Sequence, residues 1–221
     1  MLPSTHGPVP EAVFLNTAGG VTGGDSFTFE GSVESGALCL TTQTAERAYA
    51  STGDAANIAV SLSAGPGARL HWLPQETILF DQSHLRRTTR IDAGEGAEVL
   101  ALEMIVLGRT AMGESLNRFT LRDRREICAP GPVWIDALAL DESLIGQAAG
   151  VAEARALATL VFWAPGAEDI SLDLHGGLHA SAWGGKYVIR GHARDLWPLK
   201  RALAPVLEKL MGGPLPRVWA V

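Results

Sequence analysis

The chain has 221 residues, 47% of them hydrophobic and 19% charged, with 24 acidic against 18 basic side chains. This composition excludes a disordered chain. The acidic balance, broken only by fragments such as Arg86-Arg87 and Arg122 to Arg125, excludes a nucleic-acid surface, and no apolar run approaches the roughly 20 residues of a membrane helix.

The opening segment, MLPSTHGPVPEAVFLN, lacks the basic-then-apolar order of a secretory leader, which predicts a cytoplasmic protein. The length suits a single domain over 1–221. Residues 12–16 (AVFLN) read as a short strand running into Gly19, Gly20, Gly23, Gly24 and Asp25. So many glycines suggest a phosphate loop. However, Asp25 stands where a P-loop needs lysine, and the following FTFEGSV has the period of a strand, not a helix. The block therefore reads as scaffold, with glycines permitting positive φ and close backbone approach and Asp25 accepting backbone N–H groups.

Strands follow at 27–33, 37–42, 58–62, 68–73, 77–80, 87–92, 97–107, 116–128, 133–140, 158–163, 178–183 and 186–190. Ser35-Gly36-Ala37, Pro66-Gly67-Ala68 and Glu95-Gly96-Ala97 each precede an apolar strand, about one cycle per 30 residues. Two architectures fit this weak repeat: a coiled β-stack, or a β-sandwich with similar turns. Residues 195–211 read as a helix. Asp195 caps it, Leu199, Leu203, Val206, Leu207 and Leu210 share one face, and Gly212-Gly213-Pro214 stops it. Pro205 is expected to kink or break it. Shorter helices are placed near 141–149 or within 165–174.

Three carboxylates interrupt apolar strands. In LHWLPQETILFDQS, Pro74 predicts a bend, and Gln75, Glu76 and Asp81 follow it. In ALEMIVL, Glu103 has apolar neighbours on both faces. A carboxylate in such company needs a cation, backbone donors or water. Arg109 is expected to swing back onto Glu103. Of the six histidines, His71 beside Trp72 reads as a core-edge imidazole or a transient nickel or zinc contact. His175-Gly-Gly-Leu-His179 reads as a turn, with metal ligation as the alternative. Cys39 and Cys128 lie outside any CxxC pair and read as buried thiols, not zinc ligands. No GxSxG and no nucleophile–base set is present.

The blocks LNTAGGVTGGDS, LTTQTAERAYAS, LPQETILFDQS and GRTAMGES, in that order, resemble the urease accessory protein UreD (UreH) family. RALATLVFW, GGKYVIRGHA and PRVW extend the likeness through the second half. The resemblance implies a mainly β fold: a right-handed β-helix-like stack of short strands with one or two C-terminal α-helices. It implies a non-enzymatic protein that bridges apo-urease to UreF, which recruits the GTPase UreG, and it admits a dimer within that complex. No cofactor is held tightly, and Ni2+ is expected to pass through a water-filled interior. The resemblance carries Glu76, Asp81 and Glu103, with His71 as a weaker contact, onto that passage, and Thr41, Thr42 and Gln43 onto a polar patch at a strand end. The segment ahead of Phe14 reads as short for the family. Two other readings stay open: a cupin-like or β-sandwich metal-dependent enzyme using Glu76, Glu103 and a histidine, and a purely structural partner through which no ion passes.

Overall fold

The computed structural model describes residues 9–109 and 112–219. His6 and the Thr110-Ala111 pair of GRTAMGES lie outside the described residues. Three coils run in sequence. The first is β2 (Ser26–Val33), β3 (Ala37–Thr42) and β4 (Glu46–Ala48). The second is β5 (Ala56–Ala64), β6 (Arg69–Trp72) and β7 (Thr77–Leu79). The third is β8 (His84–Ala93) and the unbroken β9 (Glu98–Leu107). Equivalent strands stack in parallel: β2 on β5 on β8, then β3 on β6 on β9, then β4 on β7 on the end of β9. The repeat is therefore a coiled stack whose successive turns form two facing sheets.

The turns explain the glycine triplets. Gly36, Gly67 and Gly96 all have positive φ, at 79°, 67° and 69°, which side chains with a Cβ adopt only at a cost. Neighbouring turns rest directly on one another. Gly65 donates its N–H to the Val33 carbonyl, and Gly94 donates to that of Ala64. A Cβ on Gly65 would sit 2.3 Å from the Glu34 carbonyl oxygen.

Beyond the coils the pairing becomes largely antiparallel. β1 (Glu11–Phe14) lies parallel to β3 at the other edge. β10 (Thr120–Cys128) joins β8 in parallel, and β11 (Pro132–Asp141) returns on β10. β12 (Ala156–Trp163) pairs with β9, followed by β14 (Lys186–Ala193) and the edge strand β13 (Leu178–Trp183). The larger sheet has nine strands and the smaller five. One apolar core fills the space between them, around Leu70, Val99, Leu121 and Ile127. The second lies between the outer face of the larger sheet and α1 (Leu196–Met211). Leu199, Leu203, Val206, Leu207, Leu210 and Met211 are buried there, each burial worth about 1.5–3 kcal/mol.

Several local expectations need correction. The strand placed at 116–128 begins only at Thr120, because Asn117 and Arg118 donate their N–H groups to Asp81 instead. β4, with the sequence ERA, was not expected because it carries no apolar signal. The helices placed near 141–149 and within 165–174 reduce to single 3-10 turns, Glu142–Leu144 and Ala167–Asp169. Pro205 does not break α1, which runs through it with Asp195 accepting from the Trp197 N–H and Gly212 closing it at positive φ.

Candidate functional site

β6 stops at Trp72 and β7 starts at Thr77, while β9 passes both without interruption. Residues 73–76 thus lie alongside 102–104 with no ladder pairing. The same gap separates β3 from β4 in the coil above. Side chains take over where the ladder fails. Thr41 donates its hydroxyl to the Leu73 carbonyl at 2.6 Å, and the Thr42 hydroxyl accepts the Gln75 N–H at 2.9 Å. Level with this break, Glu103 points between the sheets.

There it meets a chain of charged side chains. Glu103 Oε1 accepts from the Trp72 indole at 3.0 Å and from the Thr89 hydroxyl at 3.3 Å, and Oε2 stands 2.8 Å from Arg87 Nη1 across the core. Arg87 also donates to Asp123 through Nε (3.2 Å) and Nη2 (2.7 Å), and to the Thr77 hydroxyl at 2.9 Å. Arg125 donates to Asp123 at 3.0 Å and reaches Asp136 at 3.3 Å in an ionic contact without hydrogen-bond geometry. Asp136 accepts two bonds from Arg190, which also donates to the Thr159 hydroxyl. Burial opposes charge on Arg87, but Asp123 and Glu103 outweigh it and raise its pKa further. Burial likewise opposes the Asp123 carboxylate, yet Arg87 and Arg125 hold it below the usual range.

Small cavities follow this seam. One of about 30 Å3 is lined by Thr42, Glu46, Gln75, Thr77, Arg87 and Glu103, room for a water or two. It shares Thr42 and Glu46 with a space of about 10 Å3 bordered by Asn16 and Gln43 near the surface. It shares Trp72 and Glu103 with another of about 10 Å3 beside Thr89, Arg125, Trp134 and Thr159. Trp134 also borders an open groove of about 400 Å3 at the overhang of the larger sheet. Glu46, held by both Asn16 bonds at 3.0 and 3.1 Å, has its pKa raised, chiefly by burial.

The structure does not bring the sequence candidates together. Glu76 faces α1, with Lys200 Nζ 2.8 Å away in an ionic contact, while Gln75 accepts from that same ammonium at 2.6 Å. Asp81 is an anchor for the loop before β10, and its pKa is lowered by the Arg118 and Asn117 N–H bonds. His71 is fully buried on the outer face of its sheet, 3.1 Å from Glu98, on the opposite side from Glu103. Arg109 does not reach Glu103; it pairs with Glu114 and lies over the Phe80 ring. His175 pairs with Asp173, and it is His192 that stands beside His179. In the glycine block, Gly19 and Gly24 have positive φ, while a Cβ on Gly20 or Gly23 would strike the 47–54 segment. Asp25 accepts the Thr22 N–H at 2.8 Å.

Sequence reasoning missed Arg87, Asp123, Arg125 and Glu46. The signal was present in the strand period: Leu85, Arg87, Thr89 and Ile91 share the inward face of β8, and Leu121, Asp123, Arg125 and Ile127 that of β10. Charge flanked by buried aliphatics at a spacing of two marks an interior pair, not a surface fragment. Chemically, the seam offers carboxylate oxygens, hydroxyls and water-sized spaces. No group of three His, Cys, Asp or Glu side chains suited to holding a metal occurs among the described residues. No helix among them is long and apolar enough to cross a membrane.

A family model described as UreD urease accessory protein matches residues 1–220. A urease accessory protein UreD of Cereibacter sphaeroides is 50% identical over 99% of this chain and 84% of its own length. One of Dinoroseobacter shibae is 49% identical over 99% and 81%. One of Agrobacterium fabrum is 38% identical over 99% and 80%.

Proposed function

Because the chain belongs to the UreD urease accessory protein family, with a role in urease maturation, we propose that it acts as a non-catalytic cytoplasmic scaffold joining apo-urease to UreF and, through UreF, to the GTPase UreG. In this reading nickel is cargo that moves along the polar seam between the two sheets. The observation that carries the passage is the seam itself: Glu46, Arg87, Glu103, Asp123 and Arg125 sit in file inside an otherwise apolar stack, beside water-sized cavities. Buried ion pairs contribute little net stability over apolar packing, so stability alone does not account for them. Carboxylate and hydroxyl oxygens suit a cation that must be held briefly and released. The guanidinium of Arg87 has to move off Glu103 for an ion to pass, which makes that pair the gate.

The passage differs from the one the sequence suggested. Glu103 stays in it, joined by Thr42 and Gln43, while Glu76, Asp81 and His71 serve other contacts and Gln75 borders the cavity with its amide held by Lys200 and Val218. A metal-dependent enzyme has less support, since Glu76, Glu103 and the histidines face different compartments. The test is co-expression with UreF, UreG and urease, comparing the native chain with Glu103→Gln. Copurification of the partners with both chains, and less nickel per urease with the variant, is the expected result. Failure of the native chain to retain UreF or urease ends the scaffold reading. Unchanged nickel with Glu103→Gln ends the passage.

A further inference from the structure

The larger sheet outruns the smaller one. β14 faces β11 through the Arg190–Asp136 pair, the edge strand β13 lies beyond it, and the inner face of this edge opens onto the groove of about 400 Å3. His179 of β13 lines that groove, and His192 of β14 stands beside it with ring centres 6.1 Å apart and planes at 73°. Both imidazoles are exposed. The nearby cation, Arg190, is already bound by the Asp136 carboxylate through bonds of 3.0 and 2.6 Å, which offsets its repulsion of a metal. We propose that His179 and His192 form a binding site for a borderline divalent cation such as Ni2+ or Zn2+, and that this site exchanges nickel between solvent and the groove end of the seam.

The geometry allows it. An ion at about 2.1 Å from one nitrogen of each ring can span ring centres up to roughly 6.4 Å apart. Rotation of two exposed side chains closes the remaining distance to an angular arrangement. Imidazole is the side chain suited to nickel and zinc, and two such ligands with water completing the shell hold an ion loosely enough to hand it on. Trp134 stands between the groove and the seam, bordering the groove on one side and the cavity beside Glu103 on the other. The role in nickel traffic rests on the passage reading; the metal binding itself does not.

The test starts with tag-free chain titrated calorimetrically with NiCl2 in a non-chelating buffer. His179→Ala and His192→Ala are compared with His175→Ala, with thermal unfolding confirming that each folds. Each of the first two substitutions is expected to weaken binding by at least the roughly tenfold that even an outer-shell partner is worth, with His175→Ala unchanged. Equal affinity across all four chains overturns the site. Next, nickel per urease is measured after co-expression with the partners. A drop with His179→Ala or His192→Ala supports the exchange role, and normal loading despite lost binding overturns it. Glu103→Gln, which leaves both histidines in place, is expected to bind nickel normally in the titration. Failure of the passage thus shows as normal urease loading with that variant, whatever the histidines do.

Discussion

Arg87 is the residue on which the interior depends. It is 6% exposed and holds Glu103 of one sheet and Asp123 of the other. Arg87→Met keeps an unbranched apolar stem but removes the guanidinium and leaves two buried carboxylates with fewer partners. Removing one member of a buried pair costs about 3–5 kcal/mol, and chemical denaturation reads that loss directly. The pH dependence has a definite sign. Asp123 is held below its ordinary value of 3.8 in the folded state, so its stabilisation is present above that value and is lost as pH falls through the lower folded one. In Arg87→Met the folded value rises, and the acid loss of stability sets in at higher pH. An unfolding series against pH that superimposes on the native one refutes this assignment.

At the scale of elements, the turns and the helix make opposite predictions. Gly65 lies in a stack where a Cβ would meet the Glu34 carbonyl at 2.3 Å, whereas Gly67 has open space and only its positive φ, 67°, to protect. Gly67→Ala should therefore cost about 1–2 kcal/mol, and Gly65→Ala more, because backbone must shift; equal melting temperatures count against stacked turns. Pro205 removes one helical N–H inside α1 on an exposed position. Pro205→Ala should raise stability, by at most the roughly 3 kcal/mol separating the two residues in a helix interior, and a drop would mean that the ring shapes the docking of α1. Much of this level was legible in the sequence. Alternation revealed most of the strands, the glycine triplets marked the coil turns, and caps with a leucine face defined α1. β4 was not legible because Glu46-Arg47-Ala48 carries no apolar signal, unlike the equally short Thr77-Ile78-Leu79 of β7. Nor was the passage of α1 through Pro205, which depends on tertiary packing against the outer face of the larger sheet.

For the whole molecule, the coiled stack explains why a polar seam exists. The first two coils break at one height, after β3 and again after β6, so the gaps align beside the unbroken β9 and expose a line of threonine, glutamine and glutamate to the core. The sequence revealed that Glu103 needed company. It could not show that the company comes from β8 and β10 across the core, or that Glu76 and Asp81 are engaged elsewhere, because those pairings are long-range. The central claim is transport along this seam, and a plug that leaves every charge in place tests it most directly. Ala101 faces the cavity beside Glu103 and Trp134. Ala101→Leu fills that space at an overpacking cost of about 1–3 kcal/mol, which a melting curve monitors. The measurement is nickel per urease after co-expression of Ala101→Leu with urease, UreF and UreG. The account predicts that the folded variant still copurifies with its partners while urease emerges with less nickel. Full nickel content from a folded, plugged and partner-bound chain would contradict it.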